Sequence, residues 1–228
     1  MKTNNGLVKD LFATGAHLGH KTNRVHPKAR KYIYTIENGV SIIDLTQTVT
    51  LLDRAKEFIT KLAVENKIPL VVMTKRMSSV KVNEICQKAG IPYITVKWPA
   101  GLITNFDNIM RNVKQLKTMR EEKAAGEWDK FVKHEQVALT KNLNRLERLY
   151  GGIATLEKLP DALFVVDVKK EKNAVKEARE RSIPVIAIAD TNINPDLVDY
   201  PIPANDDSPG SIEYFVNEIV EAYNKGKK

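Results

Sequence analysis

The chain has 228 residues, and its contents of 43% apolar and 28% charged residues are ordinary for a folded protein with a substantial core. Its net charge of +8 favours binding to phosphate backbones but is also common among basic enzymes. Its single cysteine, Cys86, excludes an internal disulfide, and no run of about 18 apolar residues is present to cross a membrane. Because the N-terminus is polar and lacks a signal-peptide hydrophobic stretch, we expect a soluble cytoplasmic protein with no membrane partner.

The N-terminal segment is the most strongly cationic part of the chain. Residues 1–34 carry seven Lys or Arg side chains against Asp10 alone. The net charge is +8 over residues 1–96, +4 over 97–150 and −4 over 151–228. We therefore expect the N-terminal part to bind a polyanion, most simply a nucleic acid. The seven cations are Lys2, Lys9, Lys21, Arg24, Lys28, Arg30 and Lys31.

Five short apolar runs rich in Val and Ile predict buried strands, because continuous apolar runs are typical of strands covered on both faces. A sixth run contains prolines, which place it at a sheet edge. The five runs are 40–45, 69–73, 92–96, 162–167 and 184–190, and the sixth is 201–204.

Helical patterns separate these runs, and their alternation with strands indicates an α/β fold, a doubly wound parallel sheet between two helical layers. The spacing predicts helices over 46–66, from Ser78 or Ser79 to Ala89, over 170–181 and over 208–223.

Residues 106–150 interrupt this alternation. Two long charged segments, 106–125 and 127–150, carry a narrow apolar seam and predict an antiparallel helical hairpin. We expect residues 1–105 and 151–228 to form the sandwich, with 106–150 inserted as a projecting unit that contacts a partner.

Two sets of side chains could carry chemistry, although no Gly-rich phosphate-binding motif is present. His17, His20 and His26 contain an H-x2-H pair that could bind zinc, but the ligand set is incomplete and packing in the loop is favoured. Asp167, Asp190 and the 205–207 triplet follow strands, where carboxylates could hold Mg²⁺ or accept a phosphoryl group; the alternative is that they cap helices and loops.

Two basic dipeptides also follow strands. Lys75-Arg76 could bind a phosphate beside a helix N-terminus, or be a solvated surface pair. Lys97-Trp98 could offer an indole ring to an unpaired base, or Trp98 could be a core residue.

Six blocks of sequence, in order, resemble the universal small-subunit ribosomal protein S-two (S2) family in its bacterial type. The resemblance covers nearly the whole chain, and the ordered set is highly specific. The blocks are GAHLGH (15–20), ENGVSIIDL (37–45), WPAGLITNF (98–106), GGI…LPD (151–161), IPVIAIADTN (183–192) and YPIPANDD (200–207).

The resemblance implies a flavodoxin-like parallel sheet with a protruding helical hairpin and no catalysis, and we expect no cofactor or metal. It also implies a structural constituent of the small ribosomal subunit that binds small-subunit rRNA and neighbouring proteins, and that helps to hold ribosomal protein S-one (S1) near incoming mRNA. The residues matching the family's rRNA-facing segments are Lys21, Arg24, His26, Lys28, Arg30, Lys31, Lys75, Arg76, Lys97 and Trp98.

The chain departs from the family pattern at one place. Lys97 stands where the family usually has arginine, and Ala100-Gly101 replaces a glycine pair. Lysine cannot make the forked contact to phosphate that arginine makes, so we expect no forked contact at this position.

Two rival functions are compatible with parts of the sequence. The first is an Mg²⁺-dependent phosphotransferase or hydrolase that uses Asp167, Asp190 and Asp206. The second is a protein-interaction module that uses the hairpin and binds no RNA. The absence of phosphate-binding motifs argues against the first, and the cationic N-terminal segment argues against the second.

Overall fold

The computed structural model describes residues 4–227, so Lys2, one of the seven N-terminal cations, lies outside the described residues. None of the described helices is long and apolar enough to cross a membrane. In chain order the elements are α1 (Asn4–Ala13), β1 (Leu18–Lys21), β2 (Ile33–Glu37), β3 (Val40–Ile43), α2 (Leu45–Val64), β4 (Pro69–Val72), α3 (Ser79–Ala89), β5 (Tyr93–Ile94), α4 (Phe106–Ala124), α5 (Lys133–Tyr150), β6 (Ala162–Val166), α6 (Lys172–Glu180), β7 (Val185–Ala189), β8 (Tyr200–Pro203) and α7 (Pro209–Gly226).

Five strands form a parallel sheet with the order β5-β4-β6-β7-β8. Counted within the sheet, this is the 2-1-3-4-5 order of flavodoxin-like folds. The predicted α/β class and flavodoxin-like sheet are therefore confirmed. The proline-containing strand β8 lies at the sheet edge, as its sequence predicts, because a proline cannot donate a ladder hydrogen bond.

Helices cover both faces of this sheet, which gives three layers. Side chains alternate between the faces along each strand. Phe164 and Val166 of β6 pack in one apolar cluster with α2 and α7. Leu163 and Val165 pack in the other cluster, with α6 and the base of α4. Because the strands are parallel, their C-terminal ends all lie at one end of the sheet, where several of the predicted site residues are found.

The predicted strand 40–45 does not join the parallel sheet, which corrects the assignment from sequence. β3 lies between β1 and β2 in a separate antiparallel sheet. The reason is the turn Asn38-Gly39, whose φ angles of 48° and 75° allow the two-residue connection that folds β3 back onto β2. In β3 only Ser41 and Ile43 are fully buried, so one face of this strand is covered more closely than the other.

The helices α4 and α5 run antiparallel. Asn112 of α4 contacts Tyr150 of α5, and further along α4 the Arg120 Nε donates to the Glu147 Oε2 over 2.8 Å. Residues further along α4 therefore contact residues earlier in α5, as antiparallel helices do. The seam between the helices is a third apolar cluster formed by Leu116, Met119, Trp128, Leu143 and Leu146.

The connection between these helices differs from the predicted continuous helix over 127–150. Gly126 adopts a positive φ of 71°, after which residues 127–130 form one 3-10 turn and α5 begins only at Lys133. This turn places Trp128 in the apolar seam, where its side chain is 6% exposed.

Candidate nucleic-acid interface

The basic segment, defined as residues 21–31, begins at the last residue of β1 and includes the 3-10 helix Thr22–Arg24 and all but the last residue of the 3-10 helix Pro27–Tyr32. Ala29 is buried and anchors the second of these helices, while the neighbouring side chains face solvent. No Asp or Glu occurs within the segment, so its charge is unbalanced locally. The exposed cations are Lys21, Arg24, Lys28, Arg30 and Lys31.

The basic segment is attached to the C-terminal edge of the parallel sheet. The backbone N–H of His26 donates to the carbonyl oxygen of Thr191, just after β7, over 2.8 Å. The His26 Nδ1 accepts the backbone N–H of Lys28 at 3.2 Å and so caps the second 3-10 helix. His26 is therefore half-buried and positions the cations around it.

Asp196 holds two of these cations. Its Oδ2 lies 2.8 Å from the Lys28 Nζ, and its Oδ1 lies 3.5 Å from the Lys31 Nζ. The hydrogen bond from Lys28 lowers the pKa of Asp196, which remains ionised. By contrast, Lys21, Arg24 and Arg30 form no ion pair with any residue in the range 4–227.

Lys75 does not face an external phosphate, and this corrects the prediction for that residue. Its Nζ lies 2.6 Å from the Asp206 Oδ1, 2.7 Å from the Asp207 Oδ1 and 3.1 Å from the Asp167 Oδ2. Its side chain is 11% exposed, so the alternative of a solvated surface pair is also wrong. Burial would lower the pKa of Lys75, but the surrounding carboxylates outweigh it and raise this pKa above its usual value.

Asp206 is the most strongly perturbed of these carboxyl groups. Burial, together with repulsion from Asp167 and Asp190, raises the pKa of Asp206 to about 7, and Lys75 offsets only part of this effect. Its Oδ2 is buried without a hydrogen-bond partner. The predicted cluster of carboxylates at the strand ends is thus present, but three of its members pair with Lys75, a largely buried residue of the same chain.

His20 joins the basic segment to this acidic cluster. Its Nδ1 lies 3.2 Å from the Asp190 Oδ2, and the hydrogen bond with Asp190 raises the pKa of the imidazole. Its Nε2 lies 3.7 Å from the Asp207 Oδ2. Donor atoms of these three residues lie within 4.8 Å of one another, and they are the kinds of ligand that Zn²⁺ accepts.

His17 does not complete the H-x2-H pair. Its ring stacks on Phe12 with the ring centroids 4.0 Å apart, and burial lowers its pKa. The favoured alternative, in which this histidine packs within the loop, therefore describes His17 correctly.

Trp98 is a core residue, and its position is incompatible with the predicted stacking on an RNA base. Its side chain is 6% exposed, and its indole Nε1 donates to the Glu177 Oε1 over 2.9 Å. Glu177 also accepts the backbone N–H groups of Gly101 and Ile103 at 2.9 and 3.0 Å. Burial would raise the pKa of Glu177, but these hydrogen bonds lower it. The loop before α4 is thus held by a buried carboxylate.

Arg76 and Lys97 remain exposed at the C-terminal ends of β4 and β5. They lie at the same sheet edge as the attachment point of the basic segment, because all strands of a parallel sheet end on the same side. This edge therefore carries exposed cations from three separate stretches of sequence.

Sequence reasoning missed two residues of this surface. Tyr34, in β2, is 77% exposed, and Ile36 two residues later is 58% exposed. Both side chains line one groove, and the Asn38-Gly39 hairpin signal could have identified β2.

Comparison with known proteins finds relatives that cover nearly the whole chain. A family model described as Ribosomal protein S2 matches residues 11–226. The chain is similar to a protein named "Small ribosomal subunit protein uS2" from Mycobacteroides abscessus, with 40% identity over 219 residues covering 96% of this chain and 79% of the relative. It is also similar to proteins of the same name from Nocardia farcinica (41% identical, 96% and 77% covered) and Wolinella succinogenes (39% identical, 96% and 81% covered).

Proposed function

The chain belongs to the ribosomal protein S2 family, and on this basis we propose that it binds small-subunit rRNA through the basic segment together with Arg76 and Lys97. As a family member it is a structural, non-enzymatic constituent of the small ribosomal subunit that acts in translation. It therefore binds rRNA and other ribosomal proteins and is located in the ribosome, which we propose to be cytoplasmic. Membership of this family argues against both the phosphotransferase and the module that binds no RNA.

The main observation in support of the proposed rRNA interface is that five cations within residues 21–31 are exposed, in a segment that contains no Asp or Glu. Folded rRNA presents a fixed array of phosphates, and each lysine or arginine that neutralises one releases condensed counterions. The hydrogen bond from His26 to Thr191 and the ion pairs of Asp196 hold the segment in one position. Because the backbone of the segment is already held, binding to the phosphates orders mainly the exposed side chains and so costs less conformational entropy.

Lys75 and Trp98 are left out of this proposed interface. The Lys75 ammonium is neutralised by carboxylates of its own chain, and the Trp98 ring is covered. Lys97 is exposed, and because lysine acts as a point charge we propose an electrostatic rather than a forked contact at that position.

The hairpin, residues 106–150, and the acidic C-terminal part of the chain are proposed to bind neighbouring ribosomal proteins, S1 among them. Near the hairpin tip Phe131, Val132 and Val137 are 40%, 55% and 52% exposed. Apolar side chains exposed together favour a protein partner over a phosphate backbone. We propose that 106–150 is a separate unit inserted in the sandwich formed by residues 1–105 and 151–228; the support is the apolar cluster between α4 and α5.

Sucrose-gradient fractionation of a lysate tests the proposed function. We expect the protein to sediment with small subunits at low salt and to leave them as salt rises, with nuclease treatment releasing it. Sedimentation that is independent of both salt and nuclease would contradict binding to rRNA.

Retention of S1 on the same particles tests the hairpin assignment. We expect the double variant Val132→Asp, Val137→Asp to lower the amount of S1 on small subunits while the variant itself stays bound. Val64→Asp, at an exposed position of α2, is the control. Unchanged S1 occupancy in the double variant would remove the hairpin tip from the proposed interface.

A further inference from the structure

A groove runs beside β2 on the small antiparallel sheet. Its volume is about 550 Å³, which lies within the range of pockets that hold small ligands. β2 is an edge strand of this sheet, and Ser41 of its neighbour β3, which pairs with Ile36, also lines the groove. The groove is lined among others by Thr22, Val25, Arg30, Tyr34, Ile36 and Ser41.

Two large side chains are exposed at this groove. Tyr34 is 77% exposed, and no hydrogen bond or ring contact joins it to another described residue. Ile36 is 58% exposed and lines the same groove. Exposed aromatic and branched side chains side by side on an edge strand mark an interaction surface, since an unpartnered edge is usually protected by charge or by proline.

The charges around the groove select the kind of partner. Arg30 lines the groove, whereas Lys21 and Arg24, in the same loop, line a separate pocket together with Asp190 and Asp207. None of these three cations has an acidic partner within residues 4–227, and no Asp or Glu occurs between residues 11 and 36. A groove with an exposed aromatic ring, an exposed branched side chain and the cation of Arg30 fits a ligand that combines a flat apolar face with a negative backbone, which is the chemistry of an unpaired nucleotide.

We propose that this groove binds one unpaired nucleotide of RNA, whose base stacks on the Tyr34 ring against Ile36 while Arg30 contacts the adjoining phosphate. This inference rests on the proposed function, since it names what the rRNA presents to one part of the same surface. It assigns to Tyr34 the stacking role that the sequence suggested for Trp98.

Titration of full-length protein onto small subunits stripped of it by salt tests the proposal, with affinity measured across a salt series. We expect Tyr34→Ala to weaken binding by about 5- to 100-fold, as is typical when one base loses its stacking partner. The slope of log affinity against log salt should not change, because no phosphate contact is removed. Tyr34→Phe should restore binding, and Val64→Ala, also at an exposed apolar position, should have no effect. Unchanged affinity in Tyr34→Ala, or an equally large decrease in Tyr34→Phe, would overturn the stacking role.

A photo-crosslink identifies the occupant. With p-benzoylphenylalanine in place of Ile36, irradiation of reconstituted small subunits should link the protein to rRNA. A link to a ribosomal protein or to a second copy of this chain, or no link at all, would overturn the proposal. This outcome is distinguishable from failure of the proposed rRNA interface as a whole. In that case the slope of log affinity against log salt would not change when the cations of residues 21–31 are neutralised.

Discussion

The indole Nε1 of Trp98 donates a hydrogen bond to the Oε1 of Glu177 over 2.9 Å, across 79 residues of sequence. The same carboxylate accepts backbone N–H groups of the loop that leads into α4. One buried side chain of α6 thus fixes the base of the helical hairpin to the sandwich. Trp98 is buried in the apolar cluster on this face of the sheet, and its hydrogen bond, together with those of the backbone N–H groups, lowers the pKa of Glu177 against the effect of burial.

Removal of Glu177 should destabilise the fold. Glu177→Ala leaves an indole N–H and several backbone N–H groups without their acceptor, so we expect the free energy of unfolding to fall by about 3 kcal/mol or more. Chemical denaturation measures this change. Glu180→Ala, at an exposed position of the same helix, removes only an ion pair with Lys176 and should cost less than about 0.5 kcal/mol. Equal effects of the two variants would contradict the role given to Glu177.

Substitutions of the adjacent residues Lys75 and Arg76 should affect different properties. Loss of Lys75 should lower stability, and loss of Arg76 should weaken RNA binding. Lys75→Ala leaves three carboxylates without their shared cation and should lower the free energy of unfolding by about 3–5 kcal/mol, with the salt dependence of subunit binding unchanged. Arg76→Ala should leave stability intact and reduce the slope of log affinity against log salt by about 1. Denaturation and salt titration on both variants measure this. If Lys75→Ala reduced the slope of log affinity against log salt while its stability equalled that of the wild type, Lys75 would contact RNA and the structural role given to it would be wrong.

The raised pKa of Asp206 makes stability depend on pH in a definite direction. The folded state keeps this carboxyl protonated up to about pH 7, whereas the unfolded chain releases the proton near its ordinary pKa of 3.8. Between these values the folded state binds more protons, so the contribution of Asp206 to stability falls as pH rises and is constant above about pH 7.

Asp206→Asn removes this dependence. We therefore expect the unfolding free energy of the variant minus that of the wild type to increase from about pH 4 to about pH 7 and then to level off. Denaturation at a series of pH values measures the difference. A difference that is flat across this range would show that Asp206 titrates normally.

A cavity in the apolar seam of the hairpin should destabilise α4 and α5 without disrupting the parallel sheet. Leu143 is 7% exposed and packs in the cluster between α4 and α5. Leu143→Ala should cost about 2–4 kcal/mol, and hydrogen exchange should quicken for amides of α4 and α5 while those of β6 keep their protection. Leu139→Ala, at a partly buried position of the same seam, should have a smaller effect. An equal decrease of protection in β6 would show that the hairpin and the sandwich unfold together.

Most of the fold could be predicted from the sequence because continuous Val- and Ile-rich runs identify strands covered on both faces. β6 and β7 lie within the predicted runs, and both have every residue buried. The run 40–45 has the same composition, but the Asn38-Gly39 turn pairs it locally with β2. The turn was the stronger signal, because register and pairing follow from turn geometry when two strands are adjacent in sequence.

The candidate site was less predictable, since exposure depends on partners far away in the chain. Lys75 follows a strand just as a phosphate-binding residue would, but folding brings it to Asp206, 131 residues later. The cations of residues 21–31 could be identified as surface residues because their own segment contains no acid to pair with them. Asp196, which pairs with two of them, carried no signal in its local sequence.

The most direct test of the central claim is the salt dependence of binding to stripped small subunits by the variant in which Lys21, Arg24, Lys28 and Arg30 are all replaced by glutamine. We expect the variant to bind more weakly than the wild type at low salt, with a slope of log affinity against log salt that is shallower by about one for each phosphate that it no longer neutralises. An affinity and a slope equal to those of the wild type would contradict this claim.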